Sequence, residues 1–367
     1  MNEMKKLLIV FHDMRLGGIQ RKIIDIAKHY QINSPNTKII LCLGERQGIF
    51  LKSIPKNIEV IALNFHTRRF NTIWFTLWLT MKIYRLKPTQ IVSFMDVGSV
   101  PTIVALKLLP WIKPQLTIGE DILTSEYVHT KSYPYLGQLL IKLLYPHADT
   151  ILVQTPVQKR DLEDIIDNPA VSHKIVASPN WLPLDFPPDK ITPYGQRSVD
   201  VLFVGRIDDQ KNLPLFLEII CQVKKLKPNV NAYIVGGGAK KNSIKKLIIK
   251  LNLQKNVFIK KPTLDTSTYY SQAKIFLLTS NYEGFPLTLM EAISSGCFPV
   301  VRNIPEISQF FTKNRSRIVF NSVGEATTII LDVLEKSCLR HLEPYRKKIL
   351  KSQQKDISTY VKYFTQP

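Results

Sequence analysis

Residues Ser280 to Val300 read SNYEGFPLTLMEAISSGCFPV, and this stretch decides how the rest of the chain is understood. A run of strand formers, Ile275 to Thr279, feeds a short polar loop. Pro286 predicts the first turn of a helix, where its fixed φ fits and its missing N–H is not needed. Gly296 closes that helix, and Cys297 to Val301 resumes as strand. The unit sets Glu283 in the loop and Glu291 within an otherwise apolar helix. On a helical wheel Glu291 shares a stripe with Thr288 and Ser295, while Leu289, Met290 and Ile293 face elsewhere. A helical glutamate is ordinarily solvated. These apolar neighbours instead predict a helix packed on a sheet, its polar stripe turned to a crevice at the strand ends, where open α/β sheets bind ligands.

Strand-like and helix-like stretches alternate on both sides of this unit. Strands are expected at Lys6–Phe11, Lys38–Leu43, Ile58–Leu63, Gln90–Phe94, Leu116–Gly119, Thr150–Gln154 and Lys174–Ala177. Helical patterns intervene at 19–30, 71–86, 100–109, 136–145 and 156–166. Five prolines from Pro179 to Pro193 predict an extended linker, after which strands restart at Asp200–Val204. Alternation of this kind implies parallel sheets covered on both faces.

Three further loops carry candidate binding residues. Gly205, Arg206 and Lys211 follow the first strand of the second half, with Asn212 suited to an N-cap and Pro214 to the first helical turn. Two cations beside a helix N-terminus suit an anion such as a diphosphate. Gly236-Gly237-Gly238 ends another strand, and Gly17-Gly18 joins the first strand to the first helix without the dinucleotide-binding spacing. Glycine pairs also occur simply as tight turns.

The Glu283–Glu291 spacing, with the Gly205-Arg206…Lys211-Asn212 segment, resembles the Glu-x7-Glu signature of retaining glycosyltransferases with the GT-B fold, the group 1 family of bacterial glycan biosynthesis. The resemblance implies an α/β fold of two Rossmann-like doubly wound domains facing a central cleft. It implies an acceptor-binding domain over 1–180, a linker over 181–198, a nucleotide-sugar domain over 199–340, and a helical tail over 341–367 that packs back on the first domain. It implies transfer of a hexosyl or N-acetylhexosaminyl group, with retention, from a UDP-linked sugar to a glycan or lipid-linked acceptor in surface polysaccharide synthesis. Glu283, Arg206 and Lys211 would be catalytic. Glu291 would bond the ribose, and Gly17, Gly18, Gly205, Gly284, Phe285, Pro286, Leu287 and Thr288 would line the donor. No Asp-x-Asp triplet is present, so no obligatory metal or cofactor is expected. Where many members place a histidine, this chain has Thr117-Ile118-Gly119-Glu120-Asp121, which makes Glu120 and Asp121 acceptor-side candidates in a loop, with solvated acids as the plainer alternative. His12, His66 and His129 are unranked alternatives to the missing histidine.

Size and composition agree with a two-domain globular protein: 367 residues, 45% apolar and 22% charged. Cys42, Cys221, Cys297 and Cys338 lack metal-ligand spacing and fit a reducing compartment. The N-terminal apolar run is short and ends at His12-Asp13, so it reads as a buried strand rather than a signal peptide. The net charge of +21 calls for an anionic partner or a lysine-rich surface. No nucleic-acid motif accompanies it, so no nucleic-acid partner is expected. Between Phe65 and Lys87, aromatic and basic groups interleave: Phe65, His66, Arg68, Arg69 and Phe70 lead into a helix whose Ile73, Trp74, Leu77, Met81 and Tyr84 make one face, expected in the core. Phe75, Trp78 and Leu79 spill onto a second face, which suggests contact with an anionic membrane surface against a wholly buried alternative. The expected location is cytoplasmic, peripheral on the inner face of the cell membrane. Rival classes are a non-catalytic nucleotide-sugar-binding partner of another transferase, a nucleic-acid-binding protein, and an epimerase on the same fold.

Overall fold

The structure is a computed structural model that describes residues 5–63, 71–130, 133–186, 191–311, 315–336 and 342–364. Phe65, His66, Arg68, Arg69, Phe70, Pro187, Pro188 and Cys338 lie outside the described residues. The chain divides into two compact units: residues 1–180 with 355–367, and residues 181–354.

Unit 1 runs β1 (Lys6–Phe11), α1 (Gly18–Asn33), β2 (Lys38–Leu43), β3 (Glu59–Ala62), α2 (Asn71–Leu86), β4 (Gln90–Phe94), α3 (Met95–Lys107), β5 (Gln115–Glu120), α4 (Thr124–His129), α5 (Pro134–Leu144), β6 (Thr150–Val153), α6 (Pro156–Ile166) and β7 (Ile175–Ala177). Its sheet is parallel throughout, in the order β3-β2-β1-β4-β5-β6-β7. Unit 2 runs β8 (Val199–Val204), α7 (Leu213–Leu226), β9 (Ala232–Val235), α8 (Lys241–Lys250), β10 (Val257–Lys260), α9 (Ser267–Gln272), β11 (Ala273–Leu278), α10 (Leu287–Ser294), β12 (Phe298–Arg302), α11 (Pro305–Ser308), β13 (Val319–Phe320) and α12 (Val323–Lys336). Its parallel order is β10-β9-β8-β11-β12-β13. A last helix, α13 (Glu343–Lys362), contributes its first turns to unit 2 and its last to unit 1.

The near-continuous apolar strands follow from burial on both sheet faces. Strand β8 is buried at every residue. On α7, Leu213, Phe216, Leu217, Ile220 and Val223 repeat at helical spacing and are buried against the sheet. Burying each such side chain stabilises by about 1.5–3 kcal/mol. Asn212 starts α7 from a left-handed φ of 47°, its side chain accepting from the Leu215 N–H at 3.3 Å. Both sheets place the topological switch point beside their first strand: between β1 and β4, and between β8 and β11. At such a point successive connections leave in opposite directions and open a crevice at the carboxyl ends of the strands.

The structure departs from expectation in three places. Trp181, Leu182 and Phe186 are buried, the last two in the unit 2 core, so the start of the proline-rich passage packs instead of extending. The cause is the apolar residues set between the prolines. On α2 the buried residues are Phe75, Leu79 and Ile83, and Ile73, Trp74, Leu77, Met81 and Tyr84 are exposed. The expected core face is therefore the outer one. Apolar residues circle this helix, so periodicity alone does not say which stripe the sheet covers. Finally, the helix of the opening stretch begins at Leu287, with Pro286 as its N-cap residue.

Candidate active site

Four chain segments build the site in unit 2. β8 and β11 are hydrogen-bonded neighbours, so their following loops emerge side by side at the switch point. The β8 loop carries Arg206 and Lys211, and the β11 loop carries Glu283. Lys211 Nζ donates to Glu283 Oε1, which also accepts from Ser280 Oγ at 2.6 Å. Both charged groups are largely shielded, Glu283 being buried. Shielding makes the pair's electrostatics stronger than at a free surface and ties each partner to the other.

Arg206 is half exposed. Its Nη2 donates to Gln210 Oε1 at 2.8 Å, and its Nε lies 3.4 Å from Asp208 Oδ2. Gln210 in turn donates to the Tyr282 carbonyl at 3.1 Å, and the Asn281 N–H donates to the Gln210 carbonyl at 2.8 Å. Thr279 Oγ1 donates to the Lys211 carbonyl at 3.0 Å, and Asn212 Nδ2 to Asn281 Oδ1 at 3.0 Å. The two loops are thus laced together by side-chain and backbone bonds. Gln210 and Ser280 are the residues that sequence reasoning missed. Both lie inside the quoted segments, and only the contact between the loops reveals them.

The glycine turn after β9 forms the neighbouring wall. At Gly236 a Cβ would meet the Gly205 carbonyl oxygen at 1.9 Å, and φ is +157°. The Ile207 N–H donates to the Gly237 carbonyl at 2.9 Å, which holds the backbone on either side of Arg206. This close approach is available only to glycine.

Glu291 follows on α10, buried, accepting from Thr266 Oγ1 at 3.4 Å. Gly284, Phe285 and Pro286 are buried between Glu283 and the helix, and Leu287 and Thr288 are half-buried in its first turn. A helix start presents N–H groups without intrahelical partners and about half a positive charge. Among the described residues, no group of three or more His, Cys, Asp or Glu side chains is arranged to hold a metal ion.

The unit 1 candidates are distributed differently. Gly17 caps α1 in extended backbone, and a Cβ there would meet Gln20 Oε1 at 2.3 Å; Gly18 is the first helical residue. Glu120 is the last residue of β5 and Asp121 follows it, and both are buried, so neither is a solvated loop acid. Tyr145 Oη donates to Glu120 Oε1. Burial, with the Glu120 carboxylate beside it, pushes the Tyr145 hydroxyl well above its ordinary pKa. Asp121 Oδ1 lies 2.7 Å from Lys22 Nζ of α1, and that ammonium sits 5.0 Å from the Tyr360 ring centre. Burial draws the Lys22 pKa down, against the pull of Asp121. Asp121 is thus engaged in holding α1 and the last turns of α13 together. His12 Nε2 lies 3.9 Å from Asp13, His129 ends α4, and His66 lies outside the described residues.

Residues 190–353 match the family model described as glycosyl transferases group 1. This part of the chain belongs to that family. Among known proteins, an N-acetylgalactosamine-N,N'-diacetylbacillosaminyl-diphospho-undecaprenol 4-alpha-N-acetylgalactosaminyltransferase of Campylobacter jejuni is 28% identical over 194 residues, half of this chain and half of its own length. An uncharacterized glycosyltransferase of Methanocaldococcus jannaschii is 29% identical over 46% of this chain and 42% of its own. The chain therefore spans about half the length of these curated relatives. An uncharacterized glycosyltransferase of Haemophilus influenzae is 26% identical over 79% of this chain and 80% of its own. In fold, the chain is similar to WaaG, a glycosyltransferase involved in lipopolysaccharide biosynthesis, with TM-score 0.77 at 16% identity over 99% of this chain and 100% of that one. HepE of Anabaena, in complex with UDP and glucose, gives 0.76 at 16% identity over 97% of both chains. The chain accordingly has the GT-B fold, built from its two parallel-sheet α/β units.

Proposed function

We propose that this group 1 chain transfers a sugar from a nucleotide-sugar donor, UDP-linked, to a glycan or lipid-linked acceptor, in bacterial surface polysaccharide synthesis and with retention of anomeric configuration. The observation that carries the reading is the Lys211–Glu283 pair beside Arg206 at the β8/β11 switch point. A nucleoside diphosphate arriving there meets two cations and the start of α10. Arg206 and Lys211 take the diphosphate, and Glu283, released in part from Lys211, faces the donor sugar. Glu291 accepts from the ribose hydroxyls. As the glycosidic bond breaks, negative charge grows on the departing phosphate. A fixed cation in a shielded site stabilises that charge without reorganisation. The site needs no obligatory metal in this reading, because side-chain cations and helix N–H groups supply the positive field. Unit 1 is the acceptor side, near Glu120. The partners are the donor, the acceptor and an anionic membrane surface on the cytoplasmic side. HepE binding UDP and glucose on this fold supports the choice of donor class.

Melting the protein against nucleoside diphosphates and their sugars tests the reading, with donor hydrolysis followed in parallel. UDP or a UDP-sugar is expected to raise Tm and to be hydrolysed slowly without acceptor. If no nucleotide raises Tm and no donor is consumed, the reading fails. Binding without consumption would favour the non-catalytic alternative.

A further inference from the structure

We infer that unit 1 docks on an anionic phospholipid bilayer through the outer face of the helix layer α2–α3–α5. This deepens the membrane partner proposed above and stands apart from the transfer reaction. The three helices form one layer: α2 packs on α3 and α3 on α5. Their inward residues, among them Phe75, Leu79, Ile103 and Ile141, share a single core with one face of the sheet. The opposite side of a water-facing layer should be polar. Here it carries Trp74, Leu77 and Met81 on α2, Trp111 beyond α3, and Tyr135 and Leu139 on α5. Among the described residues, thirteen of the eighteen large hydrophobics that are exposed fall between Ile73 and Leu143. Such concentration marks an interaction surface rather than scattered apolar groups.

Charge and side-chain type select the occupant. Neither α2 nor α5 contains an Asp or Glu; their charged residues are Lys82, Arg85 and Lys142, the last paired with Asp167 at 2.9 Å, so Lys82 and Arg85 carry the charge of the face. Lys107 and Lys113 flank Trp111, all exposed. Of the acids between residues 71 and 148, Glu120 and Asp121 are buried, Asp96 is half-buried, and only Glu126 is exposed. Pressing two such cationic faces together would be repulsive, which disfavours a second copy of the chain as the occupant. An anionic lipid surface attracts them. Tryptophan and tyrosine are suited to the headgroup level, where an apolar ring and a polar tip are both accommodated. Among the described residues no helix is long and apolar enough to cross a membrane, so the contact is interfacial.

Flotation of the full chain with phosphatidylcholine vesicles, with and without phosphatidylglycerol, tests the inference. The protein is expected to float with the anionic vesicles and to be released by roughly 0.5 M salt, which screens the charge. The triple variant Leu77→Ser, Trp111→Ser, Leu139→Ser should lose binding at least about ten-fold, with Tm and lipid-free donor hydrolysis unchanged. If that variant melts early, Lys82→Gln with Arg85→Gln carries the test, through loss of the anionic preference. Equal recovery with neutral and anionic vesicles overturns the inference, as does unchanged binding of the triple variant. Self-association that the variant abolishes, without vesicle binding, overturns it in favour of a second copy. Failure of lipid-free hydrolysis in the natural protein would instead remove the transferase reading and leave this one standing.

Discussion

At the switch point of unit 2, Lys211 and Glu283 grip each other across adjacent loops while Arg206 stays half exposed beside them. One strand past the equivalent point of unit 1, Glu120 and Asp121 are shut away with Tyr145 and Lys22. The first six strands of unit 1 take the same order as the six of unit 2, so topology alone does not separate the two crevices. The difference lies in where each charge is spent. In unit 1 the acids hold elements together, and in unit 2 Arg206, though bonded to Gln210 and close to Asp208, stays half exposed.

Four experiments break or sharpen this contrast. Lys22→Ala should have the largest effect, on stability. It leaves Asp121 buried without its ammonium and should cost about 3–5 kcal/mol, read by chemical denaturation. A loss under about 1 kcal/mol would mean the pair is solvated in solution. Arg206→Ala should act on the other side of the contrast. Transfer or donor hydrolysis should fall by about 10²-fold, with Tm nearly unchanged. Lys211→Ala should lower activity at least as far and also destabilise, since Glu283 keeps only Ser280. Equal damage to stability from the Arg206 and Lys22 variants would erase the distinction drawn here.

The third experiment is a pH series. Burial raises the pKa of Tyr30, Tyr145 and Tyr360, all in unit 1. The unfolded chain releases these protons near the ordinary tyrosine value while the folded chain keeps them. Stability should therefore be full below about pH 10 and fall above it, by up to about 1.4 kcal/mol per pH unit for each tyrosine. Lys22, with its pKa lowered from 10.5, acts in the opposite sense, but its contribution rises only up to that ordinary value and leaves the loss above it in place. A flat stability profile from about pH 9 to about pH 11 would count against these burials.

The smallest effect concerns thiols. Cys42 and Cys297 are buried, and burial raises both, that of Cys297 to about 12. Alkylation mapped by mass spectrometry should mark half-buried Cys221 in the native protein, and Cys42 and Cys297 only after unfolding.

Much of this was legible in the residues. β1, β2 and β4 match their expected strands residue for residue, because apolar runs bounded by turn residues leave little choice. Lys211 and Glu283 could be nominated from loop position and resemblance, but their contact depends on β8 lying beside β11, which is a fact of strand order. β13 has only two residues, too few for a periodic signal. Lys22 lies on a helix among isoleucines, and a lysine there gives no sign that it will be sealed in. The α2 faces were inverted because both are apolar, and only the sheet beneath chooses between them.

Tyr30 stacks on Phe364 with ring centres 6.3 Å apart, and Lys22 reaches Tyr360. These late residues are translated after all of residues 181–354. The first unit therefore cannot complete its interior while it is being synthesised, and must wait on the ribosome until the whole second unit has been made. A pulse-chase with proteolysis on stalled nascent chains should find the earlier-made half maturing last.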